Sequence, residues 1–179
     1  ESINFDGKAI TVASRFILSG DPDDIRLSIL SHNGSVVRFD SGEDENSRLI
    51  GLTLTRGTGS PDLDDDLSGG GVHCLDSSPE LSHLIIHECQ AAYGGAIFLQ
   101  RSSPRVTNVE LFHNTAHSRY GAGIDCSRES SEPTFDRVLS YNNEGNADIA
   151  LFDGAKITLN NCTLKSTQIA IIFYRQCKA

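Results

Sequence analysis

Gly94-Gly95-Ala96-Ile97-Phe98-Leu99-Gln100-Arg101-Ser102-Ser103-Pro104-Arg105-Val106-Thr107-Asn108-Val109-Glu110-Leu111-Phe112-His113-Asn114 decides the fold, because the stretch is one copy of a repeat. Similar copies start at Gly69 and Gly121. The apolar residue after each glycine corner sits at Val37, Val72, Ile97, Ile124, Ile149 and Ile171, so one step spans 35 residues and the others 22 to 27. Two residues on stand Phe39, Cys74, Leu99, Cys126, Leu151 and Phe173, and this alternation is that of a half-buried strand. A second strand follows in each copy, with apolar positions at Leu49/Leu52/Leu54, Leu81/Leu84/Ile86, Val106/Val109/Leu111, Phe135/Val138/Ser140 and Leu159/Cys162/Leu164.

One copy is too short to bury its own apolar face, so copies must stack about 4.8 Å apart as parallel strands. The links are too short for crossover helices, which excludes an ordinary α/β sheet. The reading is an all-β right-handed parallel β-helix of about six to seven coils. Residues 1–179 form a single domain on this reading: irregular first coils over 1–35, repeat coils over 36–179 and an acidic insertion at 58–68. Phe5, Ile10, Val12, Leu27 and Ile29 supply the apolar positions of the first coils.

Gly57, Cys89, Asn114, Asn143 and Thr167 fall three residues after the last apolar position. Asn and Gly there suit a left-handed bend, and stacked Asn amides can bond along the solenoid. Tyr93 and Tyr120 precede two glycine corners and are placed to stack on each other.

Acidic residues outnumber basic ones by 24 to 15, for a net charge of −9. That balance disfavours nucleic acid, whose phosphates need a basic footprint, and anionic polysaccharide unless a cation bridges. No apolar run is long enough to span a bilayer. Nothing at Glu1 resembles a signal peptide, which is compatible with a processed one. Cys74, Cys89, Cys126, Cys162 and Cys177 show no C-x-x-C spacing. They read as buried or unpaired thiols, with one or two disulfides as the alternative.

The stretches 69–86, 94–116 and 121–143 resemble coils of the type GGGIYC-x-SSPTLTN-x-x-I-x-x-N-x-A found in pectin-lyase-like right-handed β-helices, chiefly secreted bacterial repeat proteins. Gly94-Gly95-Ala96-Ile97 with Leu111-x-x-Asn114 is also similar to the repeats of chlamydial polymorphic outer-membrane proteins, with Leu in place of Phe. The resemblance implies a bacterial secreted or cell-surface setting. It also implies a helix and strand capping the first coil, and neither is legible, so the chain reads as lacking that cap. The superfamily hosts lyases, hydrolases, epimerases, adhesins and stalks, so the fold alone does not choose a function. Arg56, Arg101, Arg105, Arg119 and His87 depart from the usual repeat letters, as solvated substitutions or as a binding face.

Three places offer chemistry. Asp62, Asp64, Asp65 and Asp66 in the insertion are hard oxygen donors suited to Ca²⁺, or else a solvated acidic loop. The acidic runs at Asp21 to Asp24 and Glu43 to Glu45 are expected to cluster near them. The outward side of the first strand carries Arg38, His73, Phe98, Asp125 and Ala150, with Asp40, Leu75, Gln100, Ser127, Phe152 and Tyr174 beside them. Asp40, His73 and Asp125 are the catalytic candidates there, although His73 and Asp125 stand two coils apart, roughly 9–10 Å. The galacturonase-like N-T-D, G-H-G and R-I-K signatures are absent. The third place is the outward column Thr55, His87, Phe112, Tyr141 and Lys165, where aromatic faces can stack on sugars or on one another. With Phe98, the residues His87, Phe112 and Tyr141 are the ligand-binding candidates.

These features favour a non-catalytic scaffold, adhesion or glycan-contact module whose partner is a polysaccharide or surface protein. The alternatives are a polysaccharide lyase or glycoside hydrolase on the outward strand face, and a fragment or engineered solenoid without native activity. Open strand edges at the solenoid ends predict end-to-end self-association.

Overall fold

Leu81 and Leu84 are both buried yet three residues apart, a spacing that a straight strand of period two cannot satisfy. The chain resolves this with a left-handed residue between them: His83 has φ 53°, and Asn108 and Arg137 repeat it at 54°. This bend divides the second strand of each coil into two short legs, and with the first strand it closes a three-sided turn. The computed structural model describes residues 2–118, 120–128, 130–166 and 168–174. Arg119, Thr167 and Cys177 lie outside the described residues.

Stacked turns build two long parallel sheets. One has seven strands, from Ile3–Asn4 through Val37–Phe39, Val72–Leu75, Ile97–Gln100, Gly121–Ser127 and Ala147–Phe152 to Ile169–Tyr174. The other has nine, centred on Glu80–His87, Arg105–Phe112 and Thr134–Tyr141. The register is the one the repeat predicts: Val72 pairs with Ile97, Ile97 with Ile124, Ile124 with Ile149, and Ile149 with Ile171. Leu84, Val109 and Val138 pair likewise in the second sheet. These inward columns form one buried cluster that includes Cys74 and Cys126. Cys74, Cys89, Cys126 and Cys162 are free thiols. Burial pushes the Cys89 and Cys126 thiols up to about 12, so they behave as small core residues.

The corners are ladders of backbone and short polar groups. Asn114 Oδ1 accepts from the Cys89 N–H at 3.1 Å, its amide donates to the Ile86 carbonyl, and Asn143 Oδ1 accepts from the Asn114 N–H at 2.9 Å. The expected Asn ladder is therefore present, but the left-handed residue is the preceding one: Arg56, Glu88, His113 and Asn142. The exposed residue takes the bend, which frees the next side chain to turn inward and bond. At the opposite corner a Cβ on Gly95 would lie 2.5 Å from the Thr115 carbonyl oxygen and 2.7 Å from that of Ala122. Only glycine allows that approach. Tyr93 and Tyr120 stack at 4.7 Å.

Two departing arginines also join neighbouring coils. Arg101 pairs with Asp76 on the coil before it, and Arg56 lies 3.9 Å from Glu88.

The first coils differ from the sequence reading. Phe5 is buried on Phe39 with ring centroids 4.4 Å apart, and Val12 packs on the core. Ile10, Leu27 and Ile29 are exposed, Leu30 packs on the core, and Ile25 is buried outside that cluster. Two short helices, Phe16–Ser19 and Pro22–Leu27, occupy what reads as irregular coil. Asp21 caps the second by accepting from the Asp23 N–H, and Pro22 sits in its first turn. No helix among the described residues is long and apolar enough to cross a membrane.

Candidate functional site

The insertion is a β-hairpin. Ser60 pairs antiparallel with Ser68 and Pro61 with Leu67. Asp62 organises its turn: one carboxylate oxygen accepts from the Asp64 and Asp66 N–H groups at 2.8 and 3.1 Å, and the other from the Ser68 hydroxyl at 2.9 Å. The stem is anchored by the Ala92 N–H on the Leu67 carbonyl and the Gly69 N–H on that of Tyr93. The tip then crosses the outer face of the first sheet. Leu63 N–H donates to Gln100 Oε1 at 3.4 Å, and Arg128 donates to Asp64 at 3.2 Å.

The outward positions are consequently not exposed. His73 is 0 % accessible, Phe98 2 % and Asp125 1 %. The inserted element lies over this part of the strand face. His73, Phe98 and Asp125 follow one another in register. The Phe98 ring therefore separates the other two, and it stacks on His73 at 5.6 Å. Asp40 faces Arg38 in an ion pair beside them, not Asp125.

Between hairpin and sheet lies a cavity of about 200 Å³. Phe98, Tyr93, Tyr120 and Phe152 wall it with aromatic surface, and Asp62, Asp64, Asp66, Asp125 and Asp153 with carboxylate. Tyr120 meets Phe152 edge-on at 4.9 Å, and Phe152 stacks on Tyr174 at 4.4 Å. Asp125 lies near the Gly121 N–H, yet no hydrogen bond of normal geometry reaches either of its oxygens. Burial raises its pKa well above the usual carboxylate range, and the charge of Asp62 adds to that. Burial also holds His73 down to about 4, assisted by Arg38. Burial, then the charges of Asp66 and other neighbours, pushes the Tyr93 hydroxyl up to about 12.

Three of the insertion aspartates, Asp62, Asp64 and Asp66, line this cavity without forming a ligand set. Asp62 is occupied by its own turn and Asp64 by Arg128, and among the described residues no three His, Cys, Asp or Glu side chains form a metal-holding group. The other two acidic runs are engaged elsewhere. Asp21 caps its helix, Asp23 pairs with Arg26, and Glu43 is buried, accepting from the Gly7 and Ser41 N–H groups and the Ser77 hydroxyl.

The second aromatic column exists as read. His87 and Phe112 stack at 5.0 Å, Phe112 and Tyr141 at 5.2 Å, and the Tyr141 hydroxyl donates to Glu110 at 2.7 Å. All three rings are half-buried and spend their faces on one another.

Sequence reasoning did not bring Tyr93, Tyr120, Arg128 and Asp153 to the cavity. Their signal was available in part, since Gln100, Ser127 and Phe152 share one outward column that the insertion had to cross.

The match to a family model described as right handed beta helix region covers residues 26–178. The chain belongs to that family. Searches of curated proteins and of solved structures return no significant match.

Proposed function

We propose that the chain is a non-catalytic β-helix module of a secreted or cell-surface protein, and that the hairpin-covered cavity is its contact site for a saccharide. The observation that carries this reading is the composition of the cavity wall. Aromatic faces suit the apolar faces of a sugar ring, and carboxylates beside them accept its hydroxyl hydrogens. The volume of about 200 Å³ is below the range of drug-sized sites, so it suits one ring or chain end rather than a long strand. The surrounding coils form a continuous ladder-bonded rod, which suits a scaffold.

The polyuronate lyase alternative fits this wall poorly, because Asp62, Asp64, Asp66 and Asp153 repel a uronate unless a cation intervenes. One feature favours a hydrolase. Asp125, buried and inclined to keep its proton, has the character of a general acid. It lacks a positioned partner, since Asp62 is held by its turn and Asp64 by Arg128.

Calorimetric titration with neutral and amine-bearing oligosaccharides, followed by an assay for new reducing ends, separates the readings. Saturable binding without cleavage is expected. Cleavage that vanishes in Asp125→Asn would establish the hydrolase, and no binding across the panel would overturn the glycan-contact reading.

A further inference from the structure

The cavity under the hairpin holds a buried carboxylate without a partner. Asp125 is 1 % accessible, and neither oxygen receives a hydrogen bond of normal geometry. Buried polar groups in folded proteins are nearly always satisfied, and one that is not calls for an explanation. Water or a neutral hydroxyl could serve a single oxygen. The wider wall asks for more than that.

Asp62, Asp64, Asp66 and Asp153 surround the same cavity. Arg128 is the one cationic side chain among the described lining residues, and it is already shared between Asp64 at 3.2 Å and Asp153 at 4.0 Å. His73, beyond Phe98, is held in its neutral form and adds no positive charge near neutral pH. Negative charge therefore exceeds positive charge around a space walled by Phe98, Tyr93, Tyr120 and Phe152. Aromatic faces attract cations through their ring quadrupoles, most strongly where water is excluded.

We infer that this cavity selects a ligand bearing a protonated amino group, which Asp125 receives as its ion-pair partner against the aromatic wall. Resting on the saccharide reading above, the ligand is a sugar with a free amine. A neutral or N-acylated sugar offers the same ring but leaves Asp125 unpaired. Burying the cation beside Asp125 favours the ionised carboxylate, so binding moves its raised pKa back down.

The test is calorimetry on the whole chain with glucosamine, N-acetylglucosamine, glucose and tetramethylammonium, at a pH where the glucosamine amine is protonated. Glucosamine is expected to bind about tenfold more tightly than the other two sugars. Asp125→Asn, which keeps the shape, should bring that ratio close to one. Equal affinity of the three sugars for the native chain overturns the inference while leaving the saccharide reading intact. That comparison needs no variant. Tetramethylammonium binding as tightly as glucosamine, and weakening in Asp125→Asn, upholds the cation selection and overturns the sugar. Absence of binding by all four probes overturns both.

Discussion

Ile124 and Asp125 are consecutive residues of one strand and equally buried, but they are buried by different means. Ile124 points inward, between Ile97 and Ile149, where the solenoid covers it by repetition. Asp125 points outward, where an element that occurs once, the Ser60 to Ser68 hairpin, crosses the sheet. The inner column contains only aliphatic side chains, because each must fit the coil above and below. In the outer column His73, Phe98, Asp125 and Ala150 follow with no such constraint. Repetition makes structure here, and the exception to it makes a site.

The largest effect should come from the inner side. Ile124→Ala should cost about 2–5 kcal/mol in urea unfolding, since the stacked core collapses little around a missing side chain. A loss well below that would show the inner column to be no tighter than the outer one. Next is the corner ladder. Asn114→Ala strands the Cys89 N–H and the Ile86 carbonyl, and should cost about 1–3 kcal/mol by the same measurement.

The outer face should respond to pH instead. His73, lowered to about 4, contributes stability that is present above its unfolded pKa, about 6.5, and is lost as pH falls toward the folded value. Asp125 has the opposite sign. Its raised pKa contributes stability fully present below the unfolded value, about 3.9, and lost as pH rises through the window up to the folded one. Unfolding curves should therefore show Asp125→Asn gaining on the native chain by up to about 1.4 kcal/mol for each pH unit in that window. A pH-independent difference would contradict this. The smallest effect belongs to the exposed Arg101–Asp76 pair. Arg101→Ala should change stability by less than about 1 kcal/mol, and added salt should narrow the difference.

The inner half of the comparison was legible because its residues obey a rule. Val72, Ile97, Ile124 and Ile149 are similar, evenly spaced and separated by polar letters that vary, and a parallel ladder follows from those facts. The bend at His83, Asn108 and Arg137 was implied by the three-residue gap between Leu81 and Leu84, although its left-handed backbone was not named. The helices over 16–27 were missed because they are only four and six residues long, too short for a periodic signal. Asp21-Pro22 was the readable cue.

At the site, the extra length at 58–68 was visible but its destination was not. Four aspartates suggest a cation loop from their chemistry, whereas Asp62 uses its oxygens to fold a turn and Asp64 spends its charge on Arg128. Which face a single insertion covers depends on contacts that no repeat encodes. His73, Phe98 and Asp125 could thus be placed outward without their burial being foreseen.

The most direct test is a carbon-detected NMR titration of the Asp125 carboxyl, in the native chain and in one with residues 61–67 replaced by a short linker. The account predicts a pKa well above the ordinary carboxylate range in the native chain, falling toward about 3.9 when the hairpin is gone. An ordinary value in the native chain, or a raised one that survives removal of the hairpin, would contradict the claim that this insertion closes the outer face into a site.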